Sequence, residues 1–172
     1  MLKQINLSRL IAGAVLLIST AACAEDKIVV GDTSSQKQSV VISLDVYKRT
    51  SCSCCNKWIS HLKDYGFEAT KHNQNNLAEV KEKFGIHSKL QSCHTSVTKD
   101  GYVFEGHIPA KFIKKFLDEK PAGAKGLALP AMPTGTPGME YGDLLQPYKI
   151  YLLKNDGSIE IYAEVNSAEE QI

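Results

Sequence analysis

The chain has 172 residues, of which 43% are hydrophobic and 23% are charged, and its formal net charge is +1. This length and composition are typical of a globular protein with one domain and a core of its own. The net charge is close to zero and the sequence has no Lys- or Arg-rich block, so it lacks the basic surface that nucleic-acid binding usually requires. No nucleic-acid partner is therefore predicted.

Residues 1–24 are predicted to be a secretory signal peptide. Lys3 and Arg9 precede an apolar run at 10–19 that is too short to span a bilayer comfortably, and small residues follow it as a cleavage site. An alternative is a lipoprotein, in which Cys23 carries lipid after cleavage in front of it. Both alternatives describe an exported protein, and no membrane span is predicted in the mature chain.

The mature chain is predicted to contain one folded domain at 40–165, between a flexible leader at 25–39 and a short acidic tail at 166–172. Hydrophobic periodicity and helix-ending glycines define its elements. They are a strand at 40–47, a helix at 54–66, a strand at 67–73, a helix at 76–85, two short strands within 93–106, and a helix at 108–120. This β-α-β-α-β-β-α order predicts an α/β fold of the thioredoxin-like kind.

A long Pro/Gly loop at 126–142 follows these elements and carries Met132 and Met139. Loops of this length inside a compact domain are usually functional or disordered. Alternating apolar residues on both sides of an Asn-Asp-Gly turn then predict a C-terminal β-hairpin within 148–165.

Three cysteines, Cys52, Cys54 and Cys55, lie within four residues directly after the first predicted strand. Unpaired backbone N–H groups at the start of a helix stabilise thiolates, which are nucleophiles and soft metal ligands. Cys52 and Cys55 have the spacing of a thiol–disulfide oxidoreductase, in which Cys52 attacks and Cys55 resolves. Cys54 has no role in that chemistry.

Soft-metal binding gives all three sulfurs a role, because thiolates select Cu(I), Zn(II) and Fe–S clusters. Adjacent Cys54 and Cys55 cannot easily both reach one small ion, but they can bind different ions of a bridged cluster. This spacing favours a polynuclear Cu(I) site over a single tetrahedral zinc ion. In the alternatives that involve no metal, Cys54 is a small buried hydrophobic residue, or the cysteines are locked in structural disulfides.

Cys93 begins the third predicted strand, where a thioredoxin-like fold would place it opposite the cysteine cluster. Thioredoxins have at this point a cis-proline that helps to exclude metals, so a cysteine here predicts a fourth thiolate ligand. His94 and His107 are further candidates, either as nitrogen ligands or as hydrogen-bonded structural histidines. Inside a strand, His94 would point to the face opposite Cys93. Met132 and Met139 are candidate thioether ligands or apolar anchors of their loop. The remaining histidines of the mature chain are expected at the surface: His61, His72 and His87.

Three segments together resemble the CopG-like family of small exported copper-resistance proteins: TSCSCCNKW at 50–58, LQSCHTSV and KDGYVFEGHIPA within 90–110, and GLALPAMPTGTPGME at 126–140. The resemblance implies a periplasmic thioredoxin-like domain that binds copper and can change its oxidation state. Storage, or delivery to a copper efflux or chaperone protein, is equally compatible with these residues. The metal ligands that the resemblance implies are Cys52, Cys54, Cys55 and Cys93.

Overall fold

The structure is a computed structural model that describes residues 41–172; the predicted signal peptide and leader, including Cys23, lie outside the described residues. Seven strands and three helices form a mixed α/β arrangement within this range. In chain order they are β1 (Ile42–Lys48), α1 (Ser53–Asp64), β2 (Phe67–Asn73), α2 (Leu77–Lys83), β3 (His94–Thr98), β4 (Val103–Glu105), α3 (Ala110–Glu119), β5 (Ala124–Ala128), β6 (Tyr148–Lys154) and β7 (Ile159–Val165).

All seven strands belong to one sheet in the order β2-β1-β3-β4-β5-β6-β7. The pairs β1–β2 and β4–β5 are parallel, and the other neighbouring strands are antiparallel. Among the helices of the described part, none combines the length and apolar character that crossing a membrane requires.

The sheet separates two apolar clusters, because neighbouring side chains of a strand point to opposite faces. On β4, Phe104 belongs to a large cluster with the buried faces of α1 and α3, including Trp58 and Phe116. Val103 belongs to a smaller cluster on the other face, under the segment that follows α2. Packing in the large cluster therefore fixes α1 on the sheet, and the start of α1 carries the cysteine cluster.

Strand β5 was not predicted: its residues 126–128 were assigned to the long Pro/Gly loop, and this expectation is wrong. Residues Ala124–Ala128 pair with β4 in parallel, with Gly126 opposite Val103. A Cβ atom on Gly126 would lie 1.8 Å from the carbonyl oxygen of Val103, so only glycine allows the two strands to approach this closely. Because glycine is depleted in strands, the residue that permits this pairing also concealed the strand.

The acidic tail also packs against the domain, as a 3₁₀ turn at Ala168–Gln171. The Gln171 side-chain amide donates to the carbonyl of Gly135 at 3.0 Å and accepts from the Tyr148 hydroxyl at 2.8 Å. The tail thereby connects the Pro/Gly loop to β6.

His61 on α1 is half-buried, although the sequence analysis expected it at the surface. Its Nε2 accepts a hydrogen bond of 3.0 Å from the backbone N–H of Ala110, the first residue of α3. The N-cap residue of α3 is Pro109, which offers no side-chain acceptor, so His61 caps this helix from α1. Burial lowers the pKa of His61, and the charges of Glu140 and Asp64 oppose this shift.

We expect the cap to weaken in acid. Because the folded pKa of His61 lies below its ordinary value of 6.5, the unfolded chain takes up this proton first as the pH falls. The stabilisation is therefore complete above pH 6.5 and is lost progressively below it, since a protonated Nε2 cannot accept the Ala110 bond. Urea unfolding above and below pH 6.5 should show a weaker pH dependence for His61→Gln, whose oxygen accepts without titrating.

His61→Ala should cost about 1–3 kcal/mol at neutral pH, since it leaves a buried N–H without an acceptor. The control is Lys63→Gln at an exposed position of the same helix, which should follow the wild-type curve. Parallel pH curves for His61→Gln and the wild type would contradict the capping role.

Candidate metal centre

The turn from β1 into α1 fixes three sulfur atoms at the start of the helix. Cys52 is the N-cap residue of α1, and its Sγ accepts a hydrogen bond of 3.3 Å from the backbone N–H of Cys55. The N–H of Cys52 donates in turn to the carbonyl of Arg49 at 3.1 Å. A sulfur atom therefore occupies the position that Ser, Thr, Asp or Asn usually takes at a helix start.

The fourth sulfur comes from Cys93, which directly precedes β3. Antiparallel pairing of β1 with β3 sets Lys48 opposite His94, so the end of one strand and the start of the other lie side by side. The Sγ atoms of Cys55 and Cys93 are 3.5 Å apart, and those of Cys52 and Cys54 are 3.4 Å apart. All four sulfurs lie within 4.8 Å of one another.

Cys52 and Cys55 are joined in a disulfide, whereas Cys54 and Cys93 are free thiols. Disulfide sulfurs are not thiolate ligands, so a four-thiolate site requires reduction of this bond by two electrons. Cys55 is fully buried, but Cys52 is half-buried and borders a cleft of about 430 Å³, together with Arg49, Ser92 and Cys93. A thiol from solvent would therefore reach Cys52 first.

His107 directs a nitrogen lone pair at Cys93. Its Nδ1 lies 2.7 Å from the carbonyl oxygen of Pro137, which can only accept, so Nδ1 carries the proton. Burial lowers the pKa of His107, so the ring is neutral and Nε2 is an acceptor. This Nε2 is 3.0 Å from the Sγ of Cys93. Burial, together with the nearby Cys54, raises the pKa of Cys93 to about 12. The thiol therefore stays protonated and donates a hydrogen bond to Nε2 of His107.

His94 completes the centre on the side of the sheet. Its Nδ1 is 3.3 Å from the Sγ of Cys93, and its ring lies 4.2 Å from the Trp58 ring, centroid to centroid. Its Nε2 is buried and has no hydrogen-bond partner within residues 41–172. Burial holds the pKa of His94 well below its usual range, and its interactions with His107 and with the ammonium groups of Lys81 and Lys48 lower it further.

The two histidines form a second group with sulfur, because Cys55, Cys93, His94 and His107 also lie within 4.8 Å of one another. His94 and Cys93 share one side because Cys93 lies outside β3, so the alternation expected inside a strand does not apply to the pair. The centre therefore offers soft sulfur ligands and neutral nitrogen ligands at adjoining positions.

The Pro/Gly loop closes over this centre through its backbone. The carbonyl of Pro137 orients His107, and the next residue, Gly138, lies against the first turn of α1. A Cβ atom on Gly138 would be 2.6 Å from the Cys54 carbonyl oxygen and 2.8 Å from the Trp58 nitrogen. No larger residue could sit so close to the helix without moving the loop.

The two methionines lie in this loop but differ in their exposure. Met132 is 47% exposed, and its neighbour Ala131 accepts a hydrogen bond from the Ser92 hydroxyl, next to Cys93. Met139 is half-buried and directly follows Gly138. The exposure of Met132 argues against its role as an apolar anchor, whereas Met139 is partly covered.

A buried ion pair, which the sequence analysis missed, holds the Cys93 segment in position. Glu105 is fully buried and accepts from the backbone N–H of Ser92 and the hydroxyl of Thr95, both at 2.6 Å. The ammonium of Lys81 on α2 pairs with the same carboxylate. No local sequence signal indicates this role, since a lone glutamate in a strand is ordinarily expected to be exposed.

These observations define a mixed α/β protein with a partly buried cysteine–histidine centre at the junction of β1, α1 and β3. The chain belongs to the family of CopG copper resistance proteins, as the sequence motifs had indicated. Two solved structures described as "Copper resistance protein copG", form 2 and form 1, are each 38% identical to it, with TM-scores of 0.70 and 0.69. The matches cover 73% and 74% of this chain and 99% of each of those chains.

A family model described as "Protein of unknown function, DUF411" matches residues 90–139, the segment from Cys93 through the Pro/Gly loop. The comparison with curated proteins gives no match.

The contact of Gly138 with α1 can be tested by Gly138→Ala, with Gly142→Ala as the control. Both glycines have positive φ, at 87° and 57°, but only Gly138 has atoms within contact distance of the added Cβ. We expect about 1 kcal/mol of destabilisation for Gly142→Ala from backbone strain, and about 1–3 kcal/mol more for Gly138→Ala from displacement of the loop.

Urea unfolding measures both changes, and ¹⁵N chemical shifts of the His107 ring report whether the proton stays on Nδ1. In the Gly138→Ala variant the His107 ring should lose its fixed tautomer, whereas in the Gly142→Ala variant it should keep it. Equal unfolding free energies and ring spectra for the two variants would contradict the packing argument.

Proposed function

We propose that this chain is a periplasmic copper-binding protein of copper resistance, which holds Cu(I) on cysteine thiolates. The observation that carries the proposal is the approach of four cysteine sulfurs to within 4.8 Å of one another. The family supports it, since its solved relatives at 38% identity are described as copper resistance proteins. The proposed ligands are Cys52, Cys54, Cys55 and Cys93.

The proposed site holds more than one Cu(I) ion. Neighbouring sulfurs stand 3.4–3.5 Å apart in two pairs, and thiolate sulfur can bridge two metal ions. Cys54 and Cys55 are adjacent in the chain, a spacing that suits different ions of one cluster better than a single small ion. His94, His107, Met132 and Met139 are proposed as additional ligands around this sulfur core.

The same residues support an interconversion of Cu(I) and Cu(II). Reduced Cys52 and Cys55 together hold two electrons, so they can reduce two Cu(II) ions to Cu(I) while forming their disulfide and releasing two protons. The neutral nitrogens of His94 and His107 beside the sulfurs suit Cu(II), whereas thiolates prefer Cu(I). The disulfide in the structure would then be the oxidised product of this step.

We also propose that β1–β4 and α1–α3 form a thioredoxin-like unit, to which β5–β7 are added. The parallel β1–β2 pair, the antiparallel β1–β3 and β3–β4 pairs, and the position of the Cys-x-x-Cys between β1 and α1 support this assignment. Export to the periplasm is supported by the N-terminal sequence. A copper efflux or chaperone protein is the proposed partner, and the exposed Met132 beside the centre supports a transfer of copper there.

A thiol–disulfide oxidoreductase is the second candidate, because the structure contains the Cys52–Cys55 disulfide that such an enzyme uses. Cys52 borders the cleft and is the sulfur that a substrate thiol can reach. In this function Cys54 and Cys93 are dispensable, whereas copper binding requires both of them.

Anaerobic titration of the reduced protein with Cu(I), with a thiol count on the same sample, separates the two functions. We expect more than one Cu(I) per chain for the wild type, and a lower stoichiometry for Cys54→Ser and for Cys93→Ser. Ser53→Ala is the matched control, since this exposed residue lies between the cysteines in the same turn. It should retain the wild-type stoichiometry.

The opposite result would favour the oxidoreductase: no bound copper, with disulfide reductase activity retained in Cys54→Ser and Cys93→Ser. A reductase assay on the same variants therefore belongs to the experiment.

A further inference from the structure

Lys48 is a buried lysine without a negatively charged partner among residues 41–172. This last residue of β1 is 1% exposed, and its Nζ donates one hydrogen bond of 2.8 Å, to the carbonyl of Arg49. Within residues 41–172, no carboxylate lies at ion-pairing distance from it. Burial of an ammonium group without a negative partner is energetically unfavourable, so this position destabilises the metal-free domain.

The other buried lysine of residues 41–172, Lys81, has a negatively charged partner. Lys81 is 4% exposed, but it pairs with the carboxylate of Glu105 and donates to the Thr95 hydroxyl at 3.1 Å. Lys81 therefore has a carboxylate partner on its own face of the sheet. Lys48 differs from it in having no such partner among residues 41–172.

Lys48 lies beneath the cysteine–histidine centre. It is directly opposite His94 in the β1–β3 ladder, so the two side chains share the face of the sheet that α1 covers. The Nδ1 of His94 is 3.3 Å from the Cys93 sulfur. The carbonyl of Arg49 that accepts from Lys48 also accepts from the N–H of Cys52. The ammonium thus borders both chain segments that supply the sulfurs.

We infer that Lys48 is the built-in counter-charge of an anionic copper–thiolate centre. Four thiolates carry four negative charges, and each Cu(I) ion neutralises one of them. A centre with fewer copper ions than thiolates is therefore anionic. An ammonium has no lone pair and cannot ligate copper; Lys48 acts through its field, and more strongly than an exposed lysine because burial limits screening. This inference rests on the proposed copper function and assigns Lys48 the role of setting the affinity of the site.

The inference predicts opposite effects of one substitution on folding and on copper binding. Lys48→Met removes the buried charge and keeps a side chain of similar length, so the metal-free protein should be at least as stable as the wild type. Its affinity for Cu(I) should nevertheless fall about tenfold or more. Lys48→Arg keeps the charge and should retain affinity within a few-fold, provided that its own unfolding curve shows a folded domain.

The experiment is an anaerobic competition between the fully reduced protein and a Cu(I) chelator, combined with urea unfolding of the metal-free protein. The control is Lys57→Gln, which removes an exposed charge from α1 near the cysteines. Any effect of Lys57→Gln should vanish at high salt, because exposed charges are screened, whereas the loss in Lys48→Met should persist.

The outcomes separate the inference about Lys48 from the proposed copper function. If Lys48→Met binds Cu(I) with wild-type affinity, the inference is wrong but the proposed function stands. The same holds if its loss of affinity is matched by an equal loss of stability in the metal-free protein. That second result would mean that Lys48 is only structural. A wild-type protein that binds no Cu(I) overturns the proposed function, and the role of Lys48 with it.

Discussion

The antiparallel register of β1 and β3 is the constraint on which the whole centre depends. It sets Lys48 opposite His94, and so brings Cys93 next to Cys55, 38 residues away in sequence. A shift of one residue in this register would turn His94 to the other face of the sheet and separate the sulfurs. The apolar packing of α1 on the sheet and the Glu105 carboxylate behind Ser92 both serve to hold this junction.

The Pro/Gly loop orients the His107 ring within the cysteine–histidine centre. The sheet and α1 bring sulfur and nitrogen atoms together, but the carbonyl of Pro137 decides which nitrogen of His107 faces Cys93. The close approach of Gly138 to α1 keeps that carbonyl in place. The loop therefore acts through its main chain at least as much as through its methionines, and its glycine is as specific a requirement as any ligand.

Much of this arrangement could be predicted from the sequence, because it follows local patterns. Apolar periodicity predicted β1, α1 and the C-terminal hairpin, and cysteine spacing together with the motifs around Cys93 indicated the sulfur centre. Residues that contradict their usual preference could not be predicted. Lys48 and Glu105 are charged but buried, and Gly126 lies in a strand for the sake of a close approach. His61 caps a helix far away in sequence, a contact that only the tertiary fold creates.

The crowding of Cys52, Cys54 and Cys55 within one turn also affects the unfolded chain. Under the proposed copper function, Cys52 and one of its two neighbours can bind a Cu(I) ion before any tertiary structure forms, whereas Cys93, His94 and His107 join only when the sheet assembles. Ligand linkage counts only the difference in affinity between the folded and unfolded states. Under the same proposal, copper should therefore raise the melting temperature of this domain less than its binding constant suggests, because the unfolded chain already has part of the affinity.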